Sequence, residues 1–95
     1  MDLHRKLVSA LEAFDRWEKP WEFYESVSSA TSLDVDDREK LKRVWEVATE
    51  SGGWLASTDF VDGCSLVDDR LASGFPWLSA KARRQLVNGA SYQWL

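Results

Sequence analysis

The chain has 95 residues, of which 44% are hydrophobic and 29% are charged, so it is too apolar for a disordered protein. Its length and its net charge of −4 predict one soluble globular domain, residues 1–95, with no membrane partner. The single cysteine, Cys64, excludes an internal disulfide framework, and no stretch approaches the roughly 20 apolar residues of a membrane span, so we expect a cytoplasmic protein.

The first third of the sequence predicts two helices, one on each side of Pro20. Before the proline, apolar residues recur at the spacing of an amphipathic helix. Because proline lacks a donor N–H and disfavours helix at Lys19, the chain either kinks there or restarts with Pro20 in a first turn. The predicted inward-facing residues are Leu3, Leu7, Ala10, Leu11 and Phe14 in the first helix, and Trp21, Tyr24 and Val27 in the second.

A third helix is predicted to begin at a capping box formed by Asp36 and Glu39, in which each side chain accepts a hydrogen bond from the other's backbone N–H. Gly52 and Gly53 are expected to close this helix, because glycine favours helix C-termini. Its predicted buried face consists of Leu41, Val44, Trp45 and Ala48.

Two further helices are predicted in the second half of the chain. Ser57 or Thr58 caps the fourth helix, which ends before Pro76, and Ser79 caps the fifth. Their predicted buried faces are Phe60, Cys64, Val67 and Leu71 in the fourth helix, and Ala82, Leu86, Val87, Ala90 and Trp94 in the fifth. No segment alternates with the period of a strand, so the sequence predicts an all-α fold, a compact bundle of about five short helices.

The sequence lacks the residue combinations that catalysis, metal binding and cofactor binding require. His4 is the only histidine and Cys64 the only thiol, which leaves too few ligands for a structural zinc site. The acidic residues around Gly63 fail the position-by-position pattern of an EF-hand loop, and Gly52-Gly53 is not followed by the Lys-Ser/Thr pair of a phosphate-binding loop. We therefore expect no enzymatic activity, no catalytic residues, no metal and no cofactor.

Charge is distributed unevenly along the chain, which predicts an acidic protein-binding surface. Residues 44–69 contain no lysine or arginine, and helical geometry turns Asp62 and Asp69 away from the core, with Leu66 between them. Such carboxylates would steer a basic partner, which Leu66 and an exposed aromatic residue such as Trp54 would anchor. The alternative is a chance segregation of charges over solvated helix faces. The candidate protein-binding residues are Glu46, Glu50, Trp54, Asp59, Asp62, Leu66 and Asp69.

A second candidate surface comes from the unusual number of tryptophans, six in 95 residues. Phe14, Trp17, Trp21 and Tyr24 are spaced three, four and three residues apart, as on one side of a helix. This aromatic run either closes the core of a short chain or lines a groove that anchors another protein.

Together these features favour a non-enzymatic binding module. The most economical hypothesis is a small acidic inhibitor or antidote, of the immunity-protein or phage-inhibitor type, which blocks a basic protein and is itself a monomer. Two alternatives come from other classes. A DNA-binding regulator would use Lys81, Arg83 and Arg84, although the negative net charge argues against nucleic acid as a partner. A structural or adaptor subunit would bury an aromatic face in an oligomer.

Overall fold

The computed structural model describes residues 4–31, 33–50, 54 and 60–92, and for residues 60 and 61 it describes the backbone alone. Within these ranges the chain forms helices and turns and no strand, so the predicted all-α class is confirmed. A single turn of 3-10 helix, Pro20–Glu22, leads directly into the second α-helix. The five α-helices in these ranges are α1 (Arg5–Ala13), α2 (Phe23–Ser28), α3 (Val35–Ala48), α4 (Phe60–Gly74) and α5 (Ala80–Ser91).

Most of the predicted inward-facing positions are confirmed as buried. The buried residues are Leu7, Leu11, Phe14, Val27, Leu41, Val44, Ala48, Val67, Leu71, Ala82, Leu86, Val87 and Ala90. Ala10, Tyr24, Trp45 and Cys64 are half-buried and pack against this cluster from its edge. Outside the described residues lie Leu3, Gly52, Gly53, Ser57, Thr58, Trp94 and the side chain of Phe60.

Pro20 restarts the helix instead of kinking it. The proline occupies the first position of the 3-10 turn, where a backbone N–H would have no partner within the helix. Because side chains three residues apart share a face in a 3-10 helix, the buried Pro20 is followed on that face by the fully buried Phe23. Of the two interpretations of the aromatic run, core or groove, Trp21 does not fit the core, since 72% of its surface is exposed.

Helix α3 begins at a capping box, but the two residues that form it differ from those predicted. Asp34 accepts a hydrogen bond from the Asp37 backbone N–H at 2.9 Å, and the Asp37 carboxylate accepts one from the Asp34 backbone N–H at 3.2 Å. Leu33, the residue before the cap, is buried, and Asp37 is buried as well. The helix therefore starts at Val35. Asp36 and Glu39, the predicted pair, are exposed.

Helix α5 organises the core, because it packs against α1, α3 and α4. Ser79 caps it as predicted, and the Ser79 hydroxyl also donates a hydrogen bond to the carboxylate of Glu12 on α1. The buried Gln85 amide donates to the carbonyl oxygens of Leu11 at 3.2 Å and Phe14 at 2.6 Å. These bonds satisfy carbonyls at the C-terminal end of α1 and fix that helix against α5.

An aromatic cluster joins the segment around Pro20 to the rest of the fold. The Phe23 ring lies 5.0 Å from Phe14, 5.6 Å from Trp45 and 5.7 Å from Trp17, measured between ring centroids. These are the separations of favourable edge-to-face and offset contacts. Most of the predicted aromatic run therefore serves the core, and Trp21 is the member that does not.

Candidate protein-binding surface

The acidic residues predicted on α3 and α4 lie on two helices that pack against each other. Glu46 projects from the C-terminal half of α3, Glu50 follows the end of that helix at Ala48, and Asp62 and Asp69 project from α4. All four carboxylate-bearing residues are exposed. The sequence prediction of an acidic, solvent-facing surface at these four positions agrees with their placement. We refer to Glu46, Glu50, Asp62 and Asp69 as the acidic surface.

A shallow depression lies beside three of these carboxylates. Its apolar part comes from Val47 on α3 and Phe75, the residue after α4, both half-buried. Glu46, Glu50 and the exposed Arg43 border it, and a neighbouring depression that also contains Val47 and Glu50 is bordered by Asp69 and Arg70. Three carboxylates and two arginines therefore border a small area of apolar contact that the sequence did not indicate.

One of the carboxylates is already paired. Glu50 Oε2 lies 3.7 Å from Arg70 Nη1, and both side chains are partly exposed. This ion pair connects the C-terminal part of α3 to α4 across the surface, and it offsets part of the negative charge of Glu50. The negative charge that Glu50 offers a partner is therefore reduced by Arg70.

Trp54 was predicted to be an exposed anchor, and this prediction is wrong. The residue is buried, with 7% of its surface exposed, and its indole Nε1–H donates a 2.8 Å hydrogen bond to the Ala48 carbonyl oxygen. Ala48 is the last residue of α3, where carbonyl groups lack partners within the helix. Trp54 thus closes the helix end with its polar edge and fills the core with its ring.

Leu66 is half-buried and is not the exposed residue that the prediction required. Leu66 would be exposed if only the apolar stripe of α4 were covered, but α4 packs against both α3 and α5. A helix with two neighbours is covered over a wider arc of its circumference than the arc that its apolar side chains occupy. Asp59, the remaining predicted site residue, lies outside the described residues.

The basic residues proposed for DNA recognition do not form one exposed group. Lys81 and Arg84 are exposed, but the Arg83 guanidinium bonds to the Asp68 carboxylate at 3.1 Å and to the Leu78 carbonyl at 3.3 Å. Arg83 thereby holds α5 against α4 and the turn before α5. A residue committed to these internal contacts is not presented to a phosphate backbone.

The groups with catalytic potential have ordinary structural surroundings. Burial raises the pKa of the Cys64 thiol, which lowers the thiolate fraction at neutral pH and makes the side chain a poor nucleophile. The His4 ring stacks on Trp77 with centroids 4.1 Å apart. In the part of the chain that the structure describes, no group of three His, Cys, Asp or Glu side chains is arranged to hold a metal ion.

A groove between α1 and α2, about 800 Å³ in volume, was not anticipated. Phe14 and Val27 contribute its apolar floor, and Asp15, Glu22 and Glu25 stand along its rim. The sequence feature that could have predicted this groove is the set of small residues on its two sides. Small side chains leave space between two helices. Those residues are Ser9, Ala10 and Ala13 on one side, and Ser26, Ser29 and Ala30 on the other.

Comparison with known proteins adds no functional assignment. The chain matches no protein-family model, and neither a curated protein nor a solved structure is significantly similar to it. Among the described helices, none combines the length and the apolar character needed to cross a bilayer. The function of this protein is therefore inferred from its own surface.

Proposed function

We propose that this protein is a non-enzymatic binding module that blocks a basic protein partner, as a small inhibitor or antidote of the immunity-protein or phage-inhibitor type does. The observation that carries the proposal is the acidic surface, with exposed carboxylates on and beside two packed helices and an apolar depression that Glu46 and Glu50 border. Its electrostatic and apolar parts have different roles in binding.

The carboxylates act before contact is made. Exposed charges of one sign on neighbouring helices attract a basic protein over distances comparable with the Debye length, about 8 Å at physiological salt. Such steering raises association rates and orients the two proteins more than it raises the affinity of the final complex. The exposed carboxylates of the acidic surface carry this role, and Glu50 carries a smaller share than Glu46 because Arg70 lies 3.7 Å from it.

The apolar depression acts after contact. Val47 and Phe75 are half-buried, so a partner side chain that covers them removes further apolar area from water. Glu46 beside the depression places a carboxylate where it can pair with a lysine or arginine next to that side chain. We assign the anchoring role to Val47 and Phe75, in place of Trp54 and Leu66.

The proposal includes a monomeric state and a cytoplasmic location. A free monomer leaves the acidic surface open to its target. The support for the location is the sequence alone, which has one cysteine and hence no internal disulfide.

The test is affinity capture of the tagged protein from its native host at moderate salt, with the retained proteins identified by mass spectrometry. The test variant is Glu46→Lys/Asp69→Lys, and the matched control is Glu18→Lys/Glu39→Lys, which changes the net charge equally at two exposed carboxylates outside the acidic surface and outside the groove between α1 and α2. We expect one stoichiometric basic protein, which the test variant loses and the control retains. Purified complexes then show whether the partner's activity is blocked.

Other results would contradict the proposal. Equal loss in both variants would mean that net charge alone controls binding, and retention in the test variant would exclude the acidic surface. Recovery of nucleic acid would favour the regulator hypothesis. Self-association at micromolar concentration with no other partner would favour the structural subunit. Thermal unfolding of each variant shows that the substitutions leave the fold intact.

A further inference from the structure

We propose that the groove between α1 and α2 is a second docking site, whose occupant is a short amphipathic segment of another protein with lysine or arginine beside an apolar side chain. The groove and the acidic surface share no residue, so this inference stands without the function proposed above. Three features support this docking site: the shape of the groove, the charge of its rim and the exposure of Trp21.

The groove exists because its two walls are held by different contacts. Helix α1 packs mainly against α5 and α3, whereas α2 packs against α3 and the preceding 3-10 turn. The side chains that line the facing walls are small, with Ala10 and Ala13 on α1 and Ser26 and Ser29 at α2. The resulting space, about 800 Å³, accommodates a few side chains of one chain segment and is too small for a folded domain.

The rim of the groove is predominantly negative. Asp15, Glu22 and Glu25 line it together with a single cation, Arg16. Within the described part of the chain, none of these three carboxylates lies within 4.0 Å of a basic group. A lysine or arginine from a partner would satisfy this charge, whereas an acidic segment would be repelled.

Trp21 provides an anchor next to the groove, although its side chain does not line it. It precedes Glu22 in the 3-10 turn, and it is 72% exposed although every other tryptophan in the described residues is at least half-buried. Tryptophan is the residue type most often found at binding hot spots. The buried Pro20 and Phe23 on either side fix the backbone, so Trp21 is presented without a large loss of backbone freedom on binding.

Shape and charge together define the occupant. The floor of Phe14 and Val27 accepts an apolar side chain, and the rim carboxylates accept a cation on the same segment. An amphipathic helix or turn with leucine and arginine three or four residues apart supplies both groups on one face. Recognition of this kind is peptide-in-groove binding, and it needs no counterpart on the acidic surface.

The test is an NMR titration of the full-length, ¹⁵N-labelled protein with a synthetic amphipathic peptide that carries leucine and arginine at helical spacing. A matched peptide with glutamate in place of arginine is the control ligand. We expect saturable shift changes at the α1 and α2 residues that line the groove with the arginine peptide, and none with the glutamate peptide. Trp21→Ala and, separately, Asp15→Lys/Glu25→Lys are each expected to weaken binding about tenfold.

The variant Glu46→Lys/Asp69→Lys separates the two surfaces, since it should bind the arginine peptide as the unmodified protein does. Failure of the acidic surface in the capture experiment therefore leaves this result unaffected. Shift changes that spread over the whole chain, or that fall on the acidic surface, would overturn the groove assignment. Concentration-dependent self-association that Trp21→Ala abolishes would also overturn it, because the occupant would then be a second copy of the chain.

Discussion

Gly89 in α5 is the residue on which the aromatic cluster depends most directly. A Cβ atom at this position would lie 2.6 Å from Phe23 Cδ1 and 2.9 Å from Phe23 Cγ, closer than packed carbon atoms approach. Phe23 is fully buried and is held by the Phe14 and Trp45 rings, so it has little room to move away. The absence of a side chain at Gly89 is thus a condition for the close packing of the Phe23 ring against α5.

Gly89→Ala is expected to destabilise the protein by about 1 kcal/mol in urea unfolding. Overpacking of a core typically costs 1–3 kcal/mol, and it exceeds the roughly 1 kcal/mol by which alanine improves a helix interior relative to glycine. Gly74→Ala, at the end of α4, is the matched control because nothing lies within 4 Å of its added Cβ. A neutral or stabilising Gly89→Ala would mean that the Phe23 ring is not fixed where the structure has it.

At the scale of single elements, the start of α3 shows what a sequence motif leaves open. Asp34 and Asp37 have the same three-residue spacing as Asp36 and Glu39, so local sequence offers two places for the capping box. Burial of Leu33 selects the earlier one, and burial is a property of the assembled fold. The existence of all five helices was predictable from apolar periodicity, whereas this boundary required the tertiary contacts.

The same capping box makes the stability of α3 dependent on pH. The hydrogen bond from the Asp37 backbone N–H holds the pKa of Asp34 below its ordinary value of 3.8, with a smaller contribution from the positive charge of Lys6. A lowered pKa in the folded state stabilises the protein above the unfolded pKa, and this contribution disappears as the pH falls through the folded value. We therefore expect Asp34 to contribute to the loss of stability that begins as the pH falls towards 3.8 and continues below it.

The comparison that tests this uses Asp34→Asn, which keeps an oxygen for the Asp37 N–H but does not titrate. On acidification from pH 7 to pH 3, the urea midpoint of the unmodified protein should fall more than that of Asp34→Asn. Asp36→Asn is the control, since its side chain takes no part in the capping box. Parallel pH profiles for the unmodified protein and Asp34→Asn would show that the Asp34 charge does not contribute to the folded state.

For the whole molecule, the core was more predictable than the binding surface. Apolar periodicity identifies the face of a helix that is buried, as at Leu41 and Val67, because that face is a property of the helix itself. Exposure at the edge of that face depends on how many neighbours the helix has, which is why Leu66 and Trp54 were misplaced. The groove between α1 and α2 likewise depends on how these two helices pack against α3. No single stretch of sequence encodes that arrangement.

Charge is the whole-molecule property that connects the fold to the proposed function. Carboxylates dominate the acidic surface, while Lys81 and Arg84 on α5 carry exposed positive charge, so a net charge of −4 is unevenly spread. We therefore expect a basic partner to be oriented as well as attracted as it approaches. Because these charges are exposed, their effect acts over a distance that salt shortens.

We expect the association rate with the captured basic partner to fall by about tenfold or more between low and physiological salt. The dissociation rate should change less. Both rates can be measured by stopped-flow fluorescence. Glu46→Gln should slow association more than Glu50→Gln, because Arg70 already offsets the charge of Glu50 at 3.7 Å. Equal effects of the two substitutions would mean that the Glu50–Arg70 pair is open in solution. A salt-independent association rate would show that the acidic surface does not steer the partner, and that contacts made after collision determine binding.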